Sequence, residues 1–371
     1  MTENAQLRKY GVALLAPRIC VLGYDPCGGS EVILWEDVGV LQEAEIPVRV
    51  YGSASRDGAP VIKIPTRTHA PLLTSLEYCV QYLLKERNSL LLAYNEPTVA
   101  GLAPDRVIVR FDWNTGLPRY WKLPGWLSRF RRACYLFPSQ SERNLFLENN
   151  LLIPQESTVV IPNSVDLDLF RPEKAPSEKF PRVGFAGQWE RGKGIGVLAE
   201  AWRIVKGELP AAELWLAGGA DLWKTTFTPP GVAEAAALVI AMENGALLRN
   251  VGAYRRAQMP AFWNSVSIAV VPSFYESFGL VALEAMACAV PVVATAVGGL
   301  SEIVVHEESG LLVPSNDPKQ LAEALLILLK DKPLRCRLAE GARRRAELFS
   351  QERRKRQLLA TIEKISERSS I

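Results

Sequence analysis

Short β-rich runs alternate with helical runs along this chain, and the alternation begins twice. In the first half the strand candidates are 11–15, 48–51, 90–93, 107–109, 134–137 and 159–161, with helical patterns between most of them, as at 30–44 and 72–84. In the second half 183–186, 213–217, 267–271 and the run from Val292 read as strands, and helices are expected from Ile195, Gly279 and Asp317. Strands that alternate with helices form parallel sheets, because a parallel neighbour needs a crossover long enough to hold a helix. Between the halves, 171–181 carries three prolines, mixed charges and no apolar period, which marks a linker. The expectation is an α/β chain of two facing, Rossmann-like, doubly wound domains, 1–173 and 174–350, followed by a helix over 351–371. Ligands of such sheets bind beyond the carboxyl ends of the strands, so the cleft between the domains is the expected site.

A length of 371 residues fits two domains of ordinary size. With 43 basic and 40 acidic residues the net charge is +3, and a dedicated nucleic-acid binder would carry a larger basic excess. The arginine runs 343–345 and 353–356 are diluted by Glu340, Glu347, Glu352 and Glu363 and read as a solvated helical face. Six cysteines without a CxxC pair suit a reduced, cytoplasmic protein with buried thiols. The two histidines, His69 and His306, have no zinc spacing with any cysteine and leave no material for a histidine-based triad. A protein-built zinc site is therefore not expected, and neither a metal nor a cofactor is called for. No signal peptide is read, since the apolar run from Val12 is broken by Pro17 and Arg18. The stretch 279–300 is long enough to span a bilayer, but Pro291 divides it, and it reads as a buried helix, a turn and a buried strand.

The segment with the most chemistry holds two glutamates, Glu276 and Glu284, eight positions apart. The first falls in a loop after a buried strand, the second inside the helix opened by Gly279 and Leu280. Free N–H groups at a helix N-terminus attract phosphate by hydrogen bonding and by the macrodipole. A carboxylate one turn in repels a diphosphate but suits a ribose diol, taken bidentately. A plain reading makes Glu276 a cap and Glu284 a helix charge. Against that reading, Glu284 lies among Val281, Ala282, Leu283, Ala285 and Met286, where a lone carboxylate is costly to bury.

With its downstream neighbours this segment resembles the signature of the retaining glycosyltransferases of family 4, which have the GT-B fold. The pieces are the E-x7-E pair, Pro291-Val-Val-Ala-Thr, Gly298-Gly-Leu-Ser-Glu302 and Gly310-Leu-Leu-Val-Pro314. Upstream, the segment 161–172, Gly187, Lys193-Gly194 and Gly28-Gly29-Ser-Glu31 are similar to further landmarks of that family. The resemblance implies a nucleotide-diphosphate sugar as donor, UDP-glucose by default and GDP-mannose next, and a hydroxyl acceptor, either a sugar or a lipid-linked one. It implies that Glu276 binds the donor sugar and Glu284 the ribose. Ser277, Phe278, Gly279 and Leu280 would hold sugar and diphosphate, the last three by backbone amides, and Lys193 would neutralise the leaving diphosphate. Gly28, Gly29 and Gly187 would let backbone approach the phosphates, and Val251 and Tyr254 would lie beside the base. The final helix, 351–371, would pack back on the first domain.

Two departures from the family stand out. Where relatives carry an arginine after the glycine matched by Gly187, this chain has Gln188, and Arg191 is the nearby substitute. Where many relatives have a sugar-contacting histidine, this chain has 109–114, with Asp112 or Asn114 to contact sugar or acceptor, or to form a turn. Scarce histidine suits retention, in which the leaving phosphate can itself take the acceptor's proton. Competing readings are a nucleotide-sugar epimerase on the same fold and a non-catalytic nucleotide-sugar-binding protein. Finally, 119–132 interleaves aromatic and basic residues, with Trp126, Leu127 and Phe130 near several arginines. It reads either as an ordinary packed helix or as a peripheral contact with the inner face of an anionic membrane.

Overall fold

The computed structural model describes residues 5–17, 21–22, 29–55, 58–65, 71–112, 126–173, 181–219, 232–245, 247–252 and 254–368. They form two units: Met1–Pro162 with Glu352–Ile371, and Asn163–Trp223 with Phe227–Gln351. The boundary expected at 173 falls later in the chain than this division. Val165 and Phe170 are buried in the core of the second unit.

In the first unit the strands are β1 (Val12–Leu15), β2 (Val21–Leu22), β3 (Val48–Gly52), β4 (Ala54–Ser55), β5 (Ile62–Lys63), β6 (Leu90–Tyr94), β7 (Val107–Arg110), β8 (Cys134–Phe137) and β9 (Thr158–Val160). Seven of them form a parallel sheet in the order β5-β3-β1-β6-β7-β8-β9, and β2 pairs with β4. The second unit holds β10 (Arg182–Gln188), β11 (Glu213–Gly219), β12 (Arg249–Gly252), β13 (Ile268–Val271), β14 (Val292–Thr295) and β15 (Gly310–Val313). Their order is β12-β11-β10-β13-β14-β15, again all parallel. Sheets covered on both faces need continuous apolar strands. Leu-Leu-Leu-Ala-Tyr in β6, Ile-Ala-Val-Val in β13 and Val-Val-Ala-Thr in β14 supply them and are buried throughout.

Helices pack their apolar stripes on these sheets. Trp202 on helix Ile195–Glu208 and Leu325 and Leu328 on helix Pro318–Lys330 are fully buried in one core of the second unit. The latter helix starts where the sequence signals it: Asp317 accepts from the N–H groups of Lys319 and Gln320 at 3.1 and 3.0 Å, with Pro318 at the first position. The stretch 279–300 is helix Leu280–Ala287, a turn through Ala289 at φ 56°, and β14. Among the described residues no helix is long and apolar enough to cross a membrane. Cys79, Cys134 and Cys288 are buried, and Cys336 is exposed.

The carboxy-terminal arginines correct the expectation of a solvated face. Arg343 donates to the carbonyls of Phe170 and Ala287 at 3.0 and 2.6 Å, and Arg345 to those of Ile303 and Glu302 at 3.2 and 2.6 Å. Arg354, on helix Gln351–Arg368, is buried against Asp37 of helix Gly29–Glu43. Sequence charge counts miss such uses, because a guanidinium can bury itself wherever carbonyls and carboxylates surround it. Trp215 is half-buried, with the guanidiniums of Arg182 and Arg249 over its ring at 4.5 and 4.9 Å.

Candidate functional site

In the second unit the chain runs outward from β10 to β11 and β12 on one side, and from β13 to β14 and β15 on the other. Between β10 and β13 is therefore the point where the strand order reverses. The connections leaving two such neighbours diverge and open a crevice at their carboxyl ends. Lys193 follows β10 and Glu276 follows β13, so the topology alone sends both to this point. Their side chains meet: Lys193 Nζ donates to Glu276 Oε2 at 2.8 Å, and Ser273 Oγ lies 3.4 Å from the same oxygen.

Two glycines let the loops approach. Gly194 has φ 71°, and a Cβ there would stand 1.9 Å from the carbonyl oxygen of Pro272. Nearby, the N–H of Phe274 donates to Gly192 O at 2.9 Å. Gly298, at φ 47°, would place a Cβ 2.1 Å from Glu276 O, and its neighbour Gly299 donates its N–H to that oxygen at 2.8 Å. The Gly-Gly pair after β14 thus clamps the Glu276 loop through its backbone and leaves the side chain for other work. Burial would lower the Lys193 ammonium, but the charge and hydrogen bond of Glu276, with Glu190 behind it, raise it above the usual lysine value. Burial in turn raises the Glu190 carboxyl, with the charge of Glu276 adding to the effect and that of Lys193 opposing it.

Beyond Glu276 the chain enters helix Leu280–Ala287 through Gly279. Phe278 is buried, its ring 5.8 Å from that of Phe349, so only its backbone can serve a ligand. Ser277 and Leu280 are half-buried beside it. One turn into the helix Glu284 is buried, and the structure supplies a partner that sequence reasoning missed: Arg256 Nη1 lies 3.5 Å from Glu284 Oε1. Val251 lies in β12, and Tyr254 just after it has its ring 5.6 Å from that of Phe262. Gly187 and Gln188 end β10, and the Gln188 side chain is buried. Arg191 is exposed on the short turn Arg191–Lys193, and no ion pair to a described residue holds it.

In the first unit Gly29 opens helix Gly29–Glu43, while Gly28 lies outside the described residues. Asp112 lies at the carboxyl end of β7 in a buried cluster. Its Oδ1 accepts from Arg110 Nε at 2.7 Å, and its N–H donates to Asn95 Oδ1 at 2.9 Å. Asn114 is outside the described residues, as are residues 119–125 and the side chains of Trp126 and Leu127. From that stretch Phe130 is in the core. Arg131 donates to Leu152 O at 2.7 Å, and Arg132 pairs with Asp105 at 2.5 Å.

Glu142 faces the same cluster from helix Gln140–Asn149 and was not singled out in the sequence. It looks like the third residue of a capped helix, and its N–H indeed donates to Ser139 Oγ at 3.1 Å. Burial, with the charge of Asp112 added, pushes its carboxyl up from 4.5 to about 7. A carboxyl raised in the folded state favours folding below its unfolded value and loses that contribution as pH rises through the folded one. Glu142→Gln is therefore expected to be close to neutral at pH 4 and stabilising by about 3 kcal/mol at pH 8. Urea unfolding at the two pH values checks this, and equal effects at both would contradict it.

The family glycosyl transferases group 1 matches residues 167–345. A D-inositol 3-phosphate glycosyltransferase of Salinispora arenicola is 53% identical over 95 residues, which is 26% of this chain and 21% of that protein. The chain spans about a fifth to a half of the length of the curated relatives it matches. Sucrose-phosphate synthase from Thermosynechococcus elongatus has a TM-score of 0.76 at 23% identity, over 95% of this chain and 98% of its own. Anabaena HepE in complex with UDP-glucose has a TM-score of 0.74 at 19% identity, over 95% and 99%. At these identities the two structures speak for the fold alone, which is the GT-B class of two doubly wound α/β units. The stretch similar to glycosyl transferases group 1, residues 167–345, holds Lys193, Arg256, Glu276 and Glu284.

Proposed function

We propose that this chain is a retaining, metal-independent glycosyltransferase that moves a hexose from a nucleotide-diphosphate sugar, UDP-glucose by default, to a hydroxyl of a sugar or lipid-linked acceptor. One observation carries the reading: the Lys193–Glu276 pair at 2.8 Å, at the strand-order reversal and just ahead of the N-terminus of helix Leu280–Ala287. An ammonium and a row of unspent backbone N–H groups suit a diphosphate, and a carboxylate beside them suits sugar hydroxyls. HepE, with the same fold, is known in complex with UDP-glucose. The curated relatives' name, with D-inositol 3-phosphate in it, supports a polyol hydroxyl as acceptor.

In this reading Glu276 holds the sugar. Its described contacts fall on Oε2, and Oε1 is directed to the hydroxyls. Lys193 has three N–H donors, enough to keep Glu276 and take the diphosphate at once. The acceptor oxygen attacks the anomeric carbon from the face the leaving group departs, the bond from that carbon to the phosphate oxygen breaks, and that oxygen takes the acceptor's proton. Lys193 and the amides of Phe278, Gly279 and Leu280 stabilise the charge that grows on the diphosphate, the role a metal ion plays elsewhere. Arg191 supplies the cation that Gln188 cannot. Gly28, Gly29 and Gly187 give backbone access to the phosphates, Val251 and Tyr254 flank the base, and Asp112 contacts acceptor or sugar hydroxyls.

Titration calorimetry of the full chain with UDP, GDP and ADP tests the donor half of this reading. UDP is expected to bind most tightly, and binding of none of the three would overturn it. An acceptor-free assay with UDP-glucose separates transfer from epimerisation, since an epimerase yields a new nucleotide sugar without any acceptor.

A further inference from the structure

Arg256 belongs to no motif of the sequence, yet it is the partner the fold brings to Glu284. The carboxylate is on a helix whose neighbouring residues, Ala282, Leu283, Ala285 and Met286, are all buried. Leaving such a carboxylate uncompensated is costly, because a buried charge without its partner cannot recover its lost hydration. Arg256 enters from the turn Arg256–Gln258, after β12. Its own freedom is small. The guanidinium lies 5.7 Å above the ring of Phe170, and its side chain is 17% exposed. Phe170 is anchored in turn, because Arg343 donates to its carbonyl and to that of Ala287 at the end of the Glu284 helix. Phe170, Arg256 and Glu284 therefore form one frame, tied to the carboxyl end of the helix through Ala287.

The distance within the pair matters. Charge-assisted N–H···O bonds close to about 2.7–2.9 Å and occupy a lone pair of the acceptor. At 3.5 Å the Arg256–Glu284 contact is longer than such a bond, a spacing at which the guanidinium still steers the carboxylate. We propose that Arg256 is a positioning residue for the donor's ribose, holding the Glu284 carboxylate in the orientation that accepts the 2′ and 3′ hydroxyls together. This inference rests on the donor reading above. It adds that discrimination between ribose and 2′-deoxyribose depends on a residue that need not touch the nucleotide.

The test is titration calorimetry of the full chain with nucleoside diphosphates and their 2′-deoxy counterparts, using UDP and 2′-deoxy-UDP first and the ADP and GDP pairs alongside. Wild type is expected to bind the ribonucleotide about tenfold more tightly than the deoxynucleotide, the worth of one hydrogen bond to a charged group. Arg256→Met is expected to weaken ribonucleotide binding about tenfold and leave deoxynucleotide binding nearly unchanged, so that the ratio falls to about one. Arg256→Lys keeps the charge and is expected to restore part of the ratio; it gives the same readout if the methionine variant does not fold. An unchanged ratio in a folded variant, or an equal loss for both nucleotides, would overturn the positioning role while leaving the donor reading intact. Failure of wild type to bind any nucleoside diphosphate would overturn the donor reading and this inference with it.

Discussion

Glu276→Ala and Lys193→Ala are each expected to lower turnover of UDP-glucose by a factor of about 10²–10³, the usual loss when a preorganised electrostatic group at a reacting centre is removed. The fold is expected to survive both. The Glu276 loop is clamped through its backbone carbonyl by Gly299, not through its carboxylate, and Lys193 is on a turn that Gly194 closes against Pro272. Because the two side chains touch, their losses should not add: the double variant should fall little below either single one. In the Lys193 variant the diphosphate loses its counter-charge, so the fall belongs in kcat. In the Glu276 variant the sugar loses its anchor, so kcat and KM should both suffer. The measurement is the rate of nucleoside-diphosphate release with acceptor present, alongside unfolding midpoints. Near-wild-type turnover in either folded variant would remove the assigned roles.

The course of the sheets was legible because buried parallel strands are written as unbroken apolar runs. The runs at Val48, Leu90, Val107, Ile268 and Val292 are found as strands. Most of the strands missed lack such a run. Arg249-Asn-Val-Gly in β12 and Ile-Lys in β5 are edge strands whose residues are half-buried or exposed, and Gly310-Leu-Leu-Val in β15 is short and opens on glycine. Within the site, Lys193 and Glu276 could each be placed after a strand. Their pairing could not, because it depends on β10 and β13 being neighbours, and strand order is not written in any local pattern. Arg256 was illegible for the same reason. In the chain it is the second of two arginines in a loop, and only the packing of its turn beside helix Leu280–Ala287 gives it a carboxylate. Glu142 shows the reverse case. The local pattern explained it fully as a cap-proximal residue, and that satisfactory explanation hid the buried cluster it faces.

Asp37→Ala is expected to destabilise the first unit by about 3–5 kcal/mol, through the charge it strands rather than the bond it removes. Arg354 and Asp37 pair through Nη1 and Oδ1, with side chains only 2% and 1% exposed. Tyr94 donates its hydroxyl to the other carboxylate oxygen at 2.5 Å. Burial would lower the Arg354 guanidinium, but Asp37 outweighs it and raises the group above its ordinary value. Burial holds the Tyr94 phenol well above its ordinary value, the Asp37 charge adding to it. Arg354 Nε and Nη2 are also buried, without hydrogen-bond partners among the described residues. For hydrogen bonding the guanidinium thus depends on a single carboxylate, and guanidinium does not shed its proton to escape. Without Asp37 the helix Gln351–Arg368 must either carry a naked charge into the core or leave it. The neighbouring Lys355–Glu43 pair, at 2.7 Å and largely exposed on the glutamate side, offers little to hold the helix in place. Arg354→Met combined with Asp37→Ala removes both charges and fills the space with apolar atoms, so the double variant should recover most of the loss. Urea unfolding of the first unit's transition reads both effects, and limited proteolysis of the last helix reports whether it has come away. A loss below about 1 kcal/mol for Asp37→Ala, the worth of an exposed pair, would mean that Arg354 is compensated by other means and that this helix is anchored elsewhere.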